Sequence, residues 1–335
     1  MPIVRLPRSA TYEAEVRRSF LVRGCSGWGR YRLSYASETG ANRMKDRIVI
    51  TGANGHIGQR LITRMASNYS VRALVRSDKA ARLLEQTPAD EVRIVDYTSA
   101  SAMTRALEGC VGVVHLVGII RESRGSNYVD AHENATRALY LASEDTGVRK
   151  IVYLSVLGAS VNSTNACLAS KARAERVLTE GTISSSILRV PMVLGVNDYA
   201  SRALLKRASS RLAFAFRASS LEQPIDVDDV IAAVTACMES GVEGIMCLAG
   251  PVSLSRRALF ERAGFHGVLI SLPMWLGRLV ARCLEWASDN PPMTRAMLGI
   301  LDHDDNIDTG AIVRRLGITL TSLDETLQKI TLSTD

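Results

Sequence analysis

The sequence predicts an α/β fold: a doubly wound parallel sheet with a smaller, mostly helical C-terminal lobe. Three observations lead there. Short β-branched runs alternate with helical stretches from Arg47 to Val190. The runs are nearly continuous in apolar residues, as strands buried on both faces are. A glycine-rich turn joins the first run to the first helical stretch.

The strand candidates, in order, are "RIVIT" (47–51), "VRALV" (71–75), "VRIVD" (92–96), "VGVVHLV" (111–117), "KIVYLS" (150–155) and "SSILRV" (185–190). β-Branched side chains suit the pleated, buried surface of such a sheet. Between them, Ile57, Leu61 and Met65 mark one face of a first helix. Tyr128, His132, Ala135, Leu139 and Ala142 mark the helix before the fifth strand. After Pro191 the rhythm changes. "QPIDVDDVIAAVTACME" enters a helix with acids near its start, favourable for the helix dipole, and "GIMCLAG" is a further strand. The expected organisation is an N-terminal extension (1–44), a dinucleotide-binding unit (45–197) and a C-terminal substrate or partner lobe (198–330).

Charge is unevenly spread. Of a formal +7, residues 1–44 carry eight arginines against three glutamates. The body is therefore nearly neutral and offers no nucleic-acid footprint. The extension is expected to be a dispensable or disordered arm, or upstream sequence before a start at Met44, with an organellar transit peptide as the alternative. The compartment expected is accordingly the bacterial cytoplasm, or an organellar matrix if a transit peptide is present. Six scattered cysteines form no CxxC pair, so reduced thiols and no metal site are expected. The most apolar stretch, "GVLISLPMWLGRLVARCLEWA", is interrupted by Arg278, Arg282 and Glu285. It is too broken to span a bilayer; burial against the body is expected, with peripheral membrane contact as the alternative.

"TGANGHIG" places Gly52, Gly55 and Gly58 at the strand–helix junction, with Asn54, His56 and Ile57 between and beside them. Gly52 allows the tight turn, Gly55 lets a pyrophosphate approach the backbone, and Gly58 lets helix and strand pack closely. Free N–H groups and the helix dipole would receive the phosphates. Because the triplet follows a strand and opens an amphipathic helix, it reads as a Rossmann dinucleotide loop rather than a plain turn. The second strand ends at Arg76, where NAD sites carry an acid for the ribose 2′-OH. A guanidinium can instead hold a 2′-phosphate, which favours NADP(H) over NAD(H). A solvated basic turn is the structural alternative. Asp96 and Tyr97 are placed to meet the adenine, although Asp96 could equally cap the next helix.

Over residues 45–330 the chain resembles the extended, atypical short-chain dehydrogenases/reductases. The likeness rests on "TGANGHIGQRL", "VVHLVG", Asn134 in "HENATRAL", "IVYLSVLGA", "ASKARAERVL", "ILRVPMVLG" and "IDVDDVIAA". "NPPMTRAMLGILDHDDN" and "LGITLTSLDETL" add to it. Within that superfamily it is most similar to the branch of the complex I nucleotide-binding accessory subunit and its bacterial relatives. The resemblance implies a cofactor cleft lined by Leu116, Val117, Gly118 and Pro191 besides the glycine loop. It also implies a Ser/Thr, and a Tyr and Lys in a YxxxK pattern, in active members.

Here "CLASK" puts Cys167 at the tyrosine position and keeps Lys171, and Leu157 stands where the active serine is usual. Ser155 is read as a strand-end residue lining the cleft; Ser160 is unplaced. A thiol is acidic enough for proton transfer but too short and a weak donor. Lys171 could depress its pKa and leave it oxidisable, or Cys167 could simply fill space. Expected, then, is a dinucleotide-binding protein with degenerate catalytic apparatus, acting in assembly, stability or redox sensing within a protein complex. The alternative is an active NADPH-dependent reductase or nucleotide-sugar epimerase, with the acid-free stretch 201–217 holding an anionic substrate. A co-regulator sensing NADP(H) is a third reading.

Overall fold

The computed structural model describes residues 45–288, 290–300 and 302–333; the expectations for residues 1–44 lie outside the described residues. In chain order the elements begin β1 (Arg47–Thr51), α1 (His56–Met65), β2 (Ser70–Val75), α2 (Asp78–Arg82), β3 (Glu91–Ile94), α3 (Ala100–Leu107) and β4 (Gly112–His115). A π-helical segment (Val129–Asn134) then runs into α4 (Ala135–Thr146), followed by β5 (Lys150–Val156), α5 (Ala166–Thr179), β6 (Ser184–Val190) and β7 (Val193–Leu194). Next come α6 (Tyr199–Ala208), β8 (Leu212–Phe216), β9 (Leu221–Glu222), β10 (Ile225–Asp226), α7 (Val227–Glu239), β11 (Gly244–Cys247), β12 (Leu254–Ser255) and α8 (Arg256–Arg262). The chain closes with β13 (Val268–Leu272), α9 (Met274–Ala287), α10 (Arg295–Ile300), α11 (Gly310–Leu316) and α12 (Leu323–Leu332).

Seven strands form one parallel sheet in the order β11-β6-β5-β4-β1-β2-β3. All six strands expected between residues 47 and 190 are present. After β3 the chain crosses back to lay β4 on the other side of β1, which reverses the winding, and the crevice beside such a switch point is where open α/β sheets bind ligands. Both faces are covered. One core joins β1, β2 and β5 residues to α1 and α7 (Leu61, Ile62, Met65, Val230, Val234), and the other joins Val49, Val113 and Tyr153 to α3, α4 and α5. "GIMCLAG" supplies β11, which returns to the sheet edge beside β6 after α6 and the small strands.

The remainder builds a separate core of Leu204, Ala213, Ala215, Leu259, Phe260, Leu269 and Leu327. Besides helices it contains the parallel pair β8–β13 and the antiparallel pair β9–β12. No helix among the described residues is long and apolar enough to cross a membrane. The expected burial of the α9 segment holds for one side only: Met274, Gly277 and Ala281 are buried, while Trp275, Leu279, Val280 and Trp286 are exposed.

Candidate functional site

The glycine loop has the geometry its residues dictate. Gly52 adopts φ +65°, a left-handed conformation costly for other residues, and a Cβ there would press on the Leu116 and Val117 backbone. Gly55 is the N-cap of α1 and makes no side-chain bond, so the first amides of the helix are left to a ligand or water. Gly58 is buried, and a Cβ on it would stand 2.6 Å from the Ala53 carbonyl oxygen. Asn54 accepts from the Gln59 amide through its backbone carbonyl (2.9 Å), and Ile57 packs on the core. This donor set, an uncapped helix start beneath a turn with no side chain in the way, fits a diphosphate. His56 does not point into it: its Nε2 lies 2.8 Å from the Val196 carbonyl, docking α1 onto the loop after β7.

Tyr97 is not free to stack on an adenine. It is buried beneath the loop, where its hydroxyl accepts from the Gly52 N–H (3.0 Å) and donates to the Leu74 carbonyl (2.6 Å). Burial pushes the phenol up to about 12. It is a staple that fixes the turn. Asp96 is exposed and turns back on its own chain, accepting from the amide and hydroxyl of Thr98; Ser99, not Asp96, caps α3. Arg76 is exposed immediately after β2, and Ser77 caps the short α2.

Past β4, Leu116 is half-buried, Val117 buried and Gly118 exposed. A Cβ on Gly118 would stand 2.9 Å from the Lys171 Nζ and 3.4 Å from His132 Nε2. Glycine there lets this segment pass close over the lysine without displacing its side chain. Pro191 follows β6, half-buried, at the same end of the sheet.

Lys171 survives as a buried amine. Its Nζ donates to the Tyr153 hydroxyl (3.0 Å) and the Leu154 carbonyl (3.1 Å) and lies 4.5 Å from the centre of the Tyr153 ring. Burial lowers its pKa to about 8, with Cys167 and Glu175 opposing the shift. A third N–H remains for a ligand. Cys167, in the first turn of α5, is only 3% exposed, with its sulfur 3.7 Å from the Ile119 carbonyl. Burial raises the thiol to about 11 despite the lysine, so the expectation that Lys171 depresses its pKa is corrected: desolvation outweighs the neighbouring charge. Ser155 is likewise turned away from the cleft. Its hydroxyl donates to Glu175 (2.5 Å), which is paired with Arg189, and the triad ties β5, α5 and β6 together. Leu157 is buried.

One group here, Tyr153, escaped the sequence reading. Tyr153 lies on the same face of β5 as Ile151, toward α5, which the alternation of a strand could have indicated. His132, on the π-helical segment, accepts the Ile119 N–H at Nε2 (3.0 Å), so its proton sits on Nδ1 and is donated to Ser170 (2.7 Å). Ser170 in turn donates to the Cys167 carbonyl (2.9 Å). His115 is held between Thr51 (2.7 Å) and Thr136 (3.2 Å) and stacks on Tyr153. Burial lowers both histidines to about 3, with Lys171 adding to each shift. Tyr128 is buried with its hydroxyl on the Ile120 carbonyl (2.8 Å). It lines a cavity of about 340 Å³ with Glu122, Glu285, Thr294 and Arg295.

Comparison with known proteins bears on the glycine loop and the sheet around it. Residues 52–208 match the model of the NAD(P)H-binding family, and that match begins at the first loop glycine. Over that span the chain is similar to NAD(P)H-binding proteins, which is consistent with an atypical short-chain dehydrogenase/reductase.

Among curated relatives, a mitochondrial NADH dehydrogenase [ubiquinone] 1 alpha subcomplex subunit 9 of Arabidopsis thaliana is 25% identical over 211 residues, 60% of this chain and 52% of that protein. A ceramide reductase of Caulobacter vibrioides is 27% identical over 203 residues, 59% of this chain and 63% of that protein. A cinnamoyl-CoA reductase 1 of rice (Oryza sativa) is 31% identical over 133 residues, 38% of this chain and 39% of that protein. The chain thus spans less than two thirds of the length of these relatives. Among solved structures, a UDP-N-acetylglucosamine 4-epimerase from Bacillus cereus superposes with TM-score 0.65 at 18% identity, over 86% of this chain and 99% of that one. The Bordetella bronchiseptica enzyme WbmG, solved in complex with NAD, gives 0.66 at 16% identity, over 88% and 96%. At such identities these two show the fold alone and not a substrate.

Proposed function

We propose that the protein binds a nicotinamide dinucleotide, NADP(H) in preference to NAD(H), and carries out little or no chemistry on it. It serves in the assembly, stability or redox sensing of a protein complex. The observation that carries this reading is the state of the proton-transfer position. Cys167 is buried, its thiol is held up by burial, and it lies against a carbonyl, while Leu157 fills the serine position. No hydroxyl stands at either position to exchange a proton with a substrate carbonyl. The binding parts are kept. Gly52, Asn54, Gly55, Ile57 and Gly58 would hold the diphosphate, Lys171 the nicotinamide ribose, and Leu116, Val117, Gly118 and Pro191 the walls. Bound, the dinucleotide supplies hydride chemistry; this chain supplies position and shelter for it.

Arg76 supports the NADP(H) preference, since an exposed guanidinium at the end of β2 can chelate a 2′-phosphate. The division of labour proposed is a binding unit over residues 45–197 and a partner lobe over 198–330. The likeness to mitochondrial complex I subunits supports a protein partner and, if residues 1–44 act as a transit peptide, an organellar matrix; otherwise the compartment is the bacterial cytoplasm.

A second reading rests on Tyr128. This phenol lies beside Cys167 and lines the 340 Å³ cavity, where it could replace the missing tyrosine in an active reductase or epimerase. Titration calorimetry with NADPH and NADH, followed by a carbonyl and sugar-nucleotide panel monitored through reduced-nicotinamide absorbance, separates the two. Tight NADPH binding without turnover is expected, and Arg76→Asp should shift the preference toward NADH. Turnover abolished by Tyr128→Phe would establish the enzyme instead. Absence of heat with both NADPH and NADH would refute both.

A further inference from the structure

The C-terminal part of the chain exposes an apolar face that the dinucleotide site does not use. In the β8–β13 pair, alternate residues point to opposite sides. Ala213, Ala215 and Leu269 enter the core, whereas Leu212, Phe214, Val268 and Ile270 face outward with exposures of 50, 53, 64 and 38%. A half-buried strand pair normally shows polar residues on its outer side. One residue beyond β13, Pro273 opens α9, whose Gly277 packs on Phe216 so closely that a Cβ would stand 2.8 Å from the ring. Opposite that buried side runs a second stripe. Trp275 (66% exposed), Leu279 (53%) and Trp286 (91%) recur at helical spacing, with Arg282 among them.

Charge indicates what covers this face. No carboxylate occurs between Asp198 and Glu222, while Arg202, Lys206, Arg207, Arg211 and Arg217 do. Arg202, Lys206, Arg207 and Arg211 are exposed, and Arg211 is held beside the apolar strands by the Val268 N–H on its carbonyl (2.9 Å). Among the described residues, Asp302 is held by Arg217 and Arg278, Asp304 by Arg217, and Glu285 by Arg295. Exposed tryptophans with an apolar body and a polar N–H, interleaved with arginine and flanked by a basic stretch, match the boundary of an anionic bilayer. We infer that the outer faces of β8–β13 and α9 seat the protein peripherally on an anionic lipid surface. This stands independently of the proposed cofactor role.

The test is co-sedimentation of the full chain with vesicles of phosphatidylcholine alone and with about one third phosphatidylglycerol. Binding to the anionic vesicles is expected, weak on the neutral ones, and falling as salt is raised. Trp275→Ser with Trp286→Ser should lower the partition about tenfold or more, since it removes two interfacial anchors. Arg211→Gln with Arg282→Gln should weaken binding to anionic vesicles only. Each pair lies on the surface, so circular dichroism and NADPH affinity should match the parent. A parent that stays in the supernatant with both vesicle types overturns the inference, as do tryptophan variants that bind like it. A self-association broken by the same substitutions without vesicle binding would assign the face to a second copy and overturn it as well.

Discussion

Acidification should unfold this protein through two histidines before its carboxylates matter. His115 is fully buried between Thr51 and Thr136, and His132 must stay unprotonated at Nε2 to accept the Ile119 N–H. Both are lowered from 6.5 to about 3, burial first and the Lys171 charge second. The unfolded chain therefore binds more protons than the folded one between about pH 6.5 and pH 3, and stability falls as pH falls through that window. One pH unit of such a difference is worth about 1.4 kcal/mol per group. Between pH 7.5 and 5.5 the two together should cost about 2 to 3 kcal/mol, a large share of a typical domain's stability of about 5–15 kcal/mol. Urea unfolding followed by circular dichroism at a series of pH values measures this directly. His132→Gln, whose amide oxygen can still accept the Ile119 N–H, should be less stable at neutral pH but lose only about half as much per pH unit. A parent whose stability is flat from pH 7.5 to 5.5, or a variant with an unchanged slope, would refute the reasoning.

Gly58→Ala should destabilise by about 1–3 kcal/mol, because its Cβ would sit 2.6 Å from backbone oxygen that a flexible side chain cannot yield for; thermal unfolding reads it, and NADPH affinity should fall as α1 lifts. Tyr97→Phe removes the hydroxyl joining Gly52 N–H to the Leu74 carbonyl and should weaken NADPH binding in calorimetry while costing about 1 kcal/mol or more of stability. Lys171→Met removes an amine whose pKa is lowered to about 8. The charged amine is disfavoured by burial, so the parent should gain stability as pH rises from about 8 to 10.5 and the variant should not, as paired urea titrations would reveal. Cys167→Tyr tests whether the cleft is otherwise competent: with Sγ buried against the Ile119 carbonyl, the larger ring should lower the melting temperature without conferring reductase activity.

The sheet was legible because its strands are buried on both sides and so read as unbroken apolar runs: "RIVIT" is β1 residue for residue, and β5 and β6 differ from their expected spans by one residue each. The three loop glycines were legible for a similar reason, since each meets a steric demand that only glycine satisfies. Orientation was not. Asp96 and Tyr97 leave β3 at the expected place, but whether a phenol there lies over the loop or beneath it depends on whether Gly52 N–H and the Leu74 carbonyl lack partners. That is a matter of two strands at once. Periodicity likewise marked α9 as amphipathic without saying that its two apolar sides differ, one meeting Phe216 and the other solvent. The return of β11 to the sheet edge is a pairing across more than fifty residues, to which no local pattern is sensitive.

Loss of the catalytic phenol and survival of Lys171 are one structural fact rather than two. A lysine on α5 facing the cleft needs an oxygen to receive its proton, and in this chain Tyr153 from β5 and the Leu154 carbonyl provide it from the sheet side. Position 167 is thereby released from partnering the amine. It is occupied by a residue small enough to let the segment from Gly118 to Ile119 close over Lys171 and His132. Restoring a ring at 167 would have to displace that segment, together with the Ile119 N–H on which the neutral tautomer of His132 depends. The cleft is closely packed around the small side chain at 167, and this packing supports the proposed dinucleotide-holding role over a dormant enzyme awaiting one substitution.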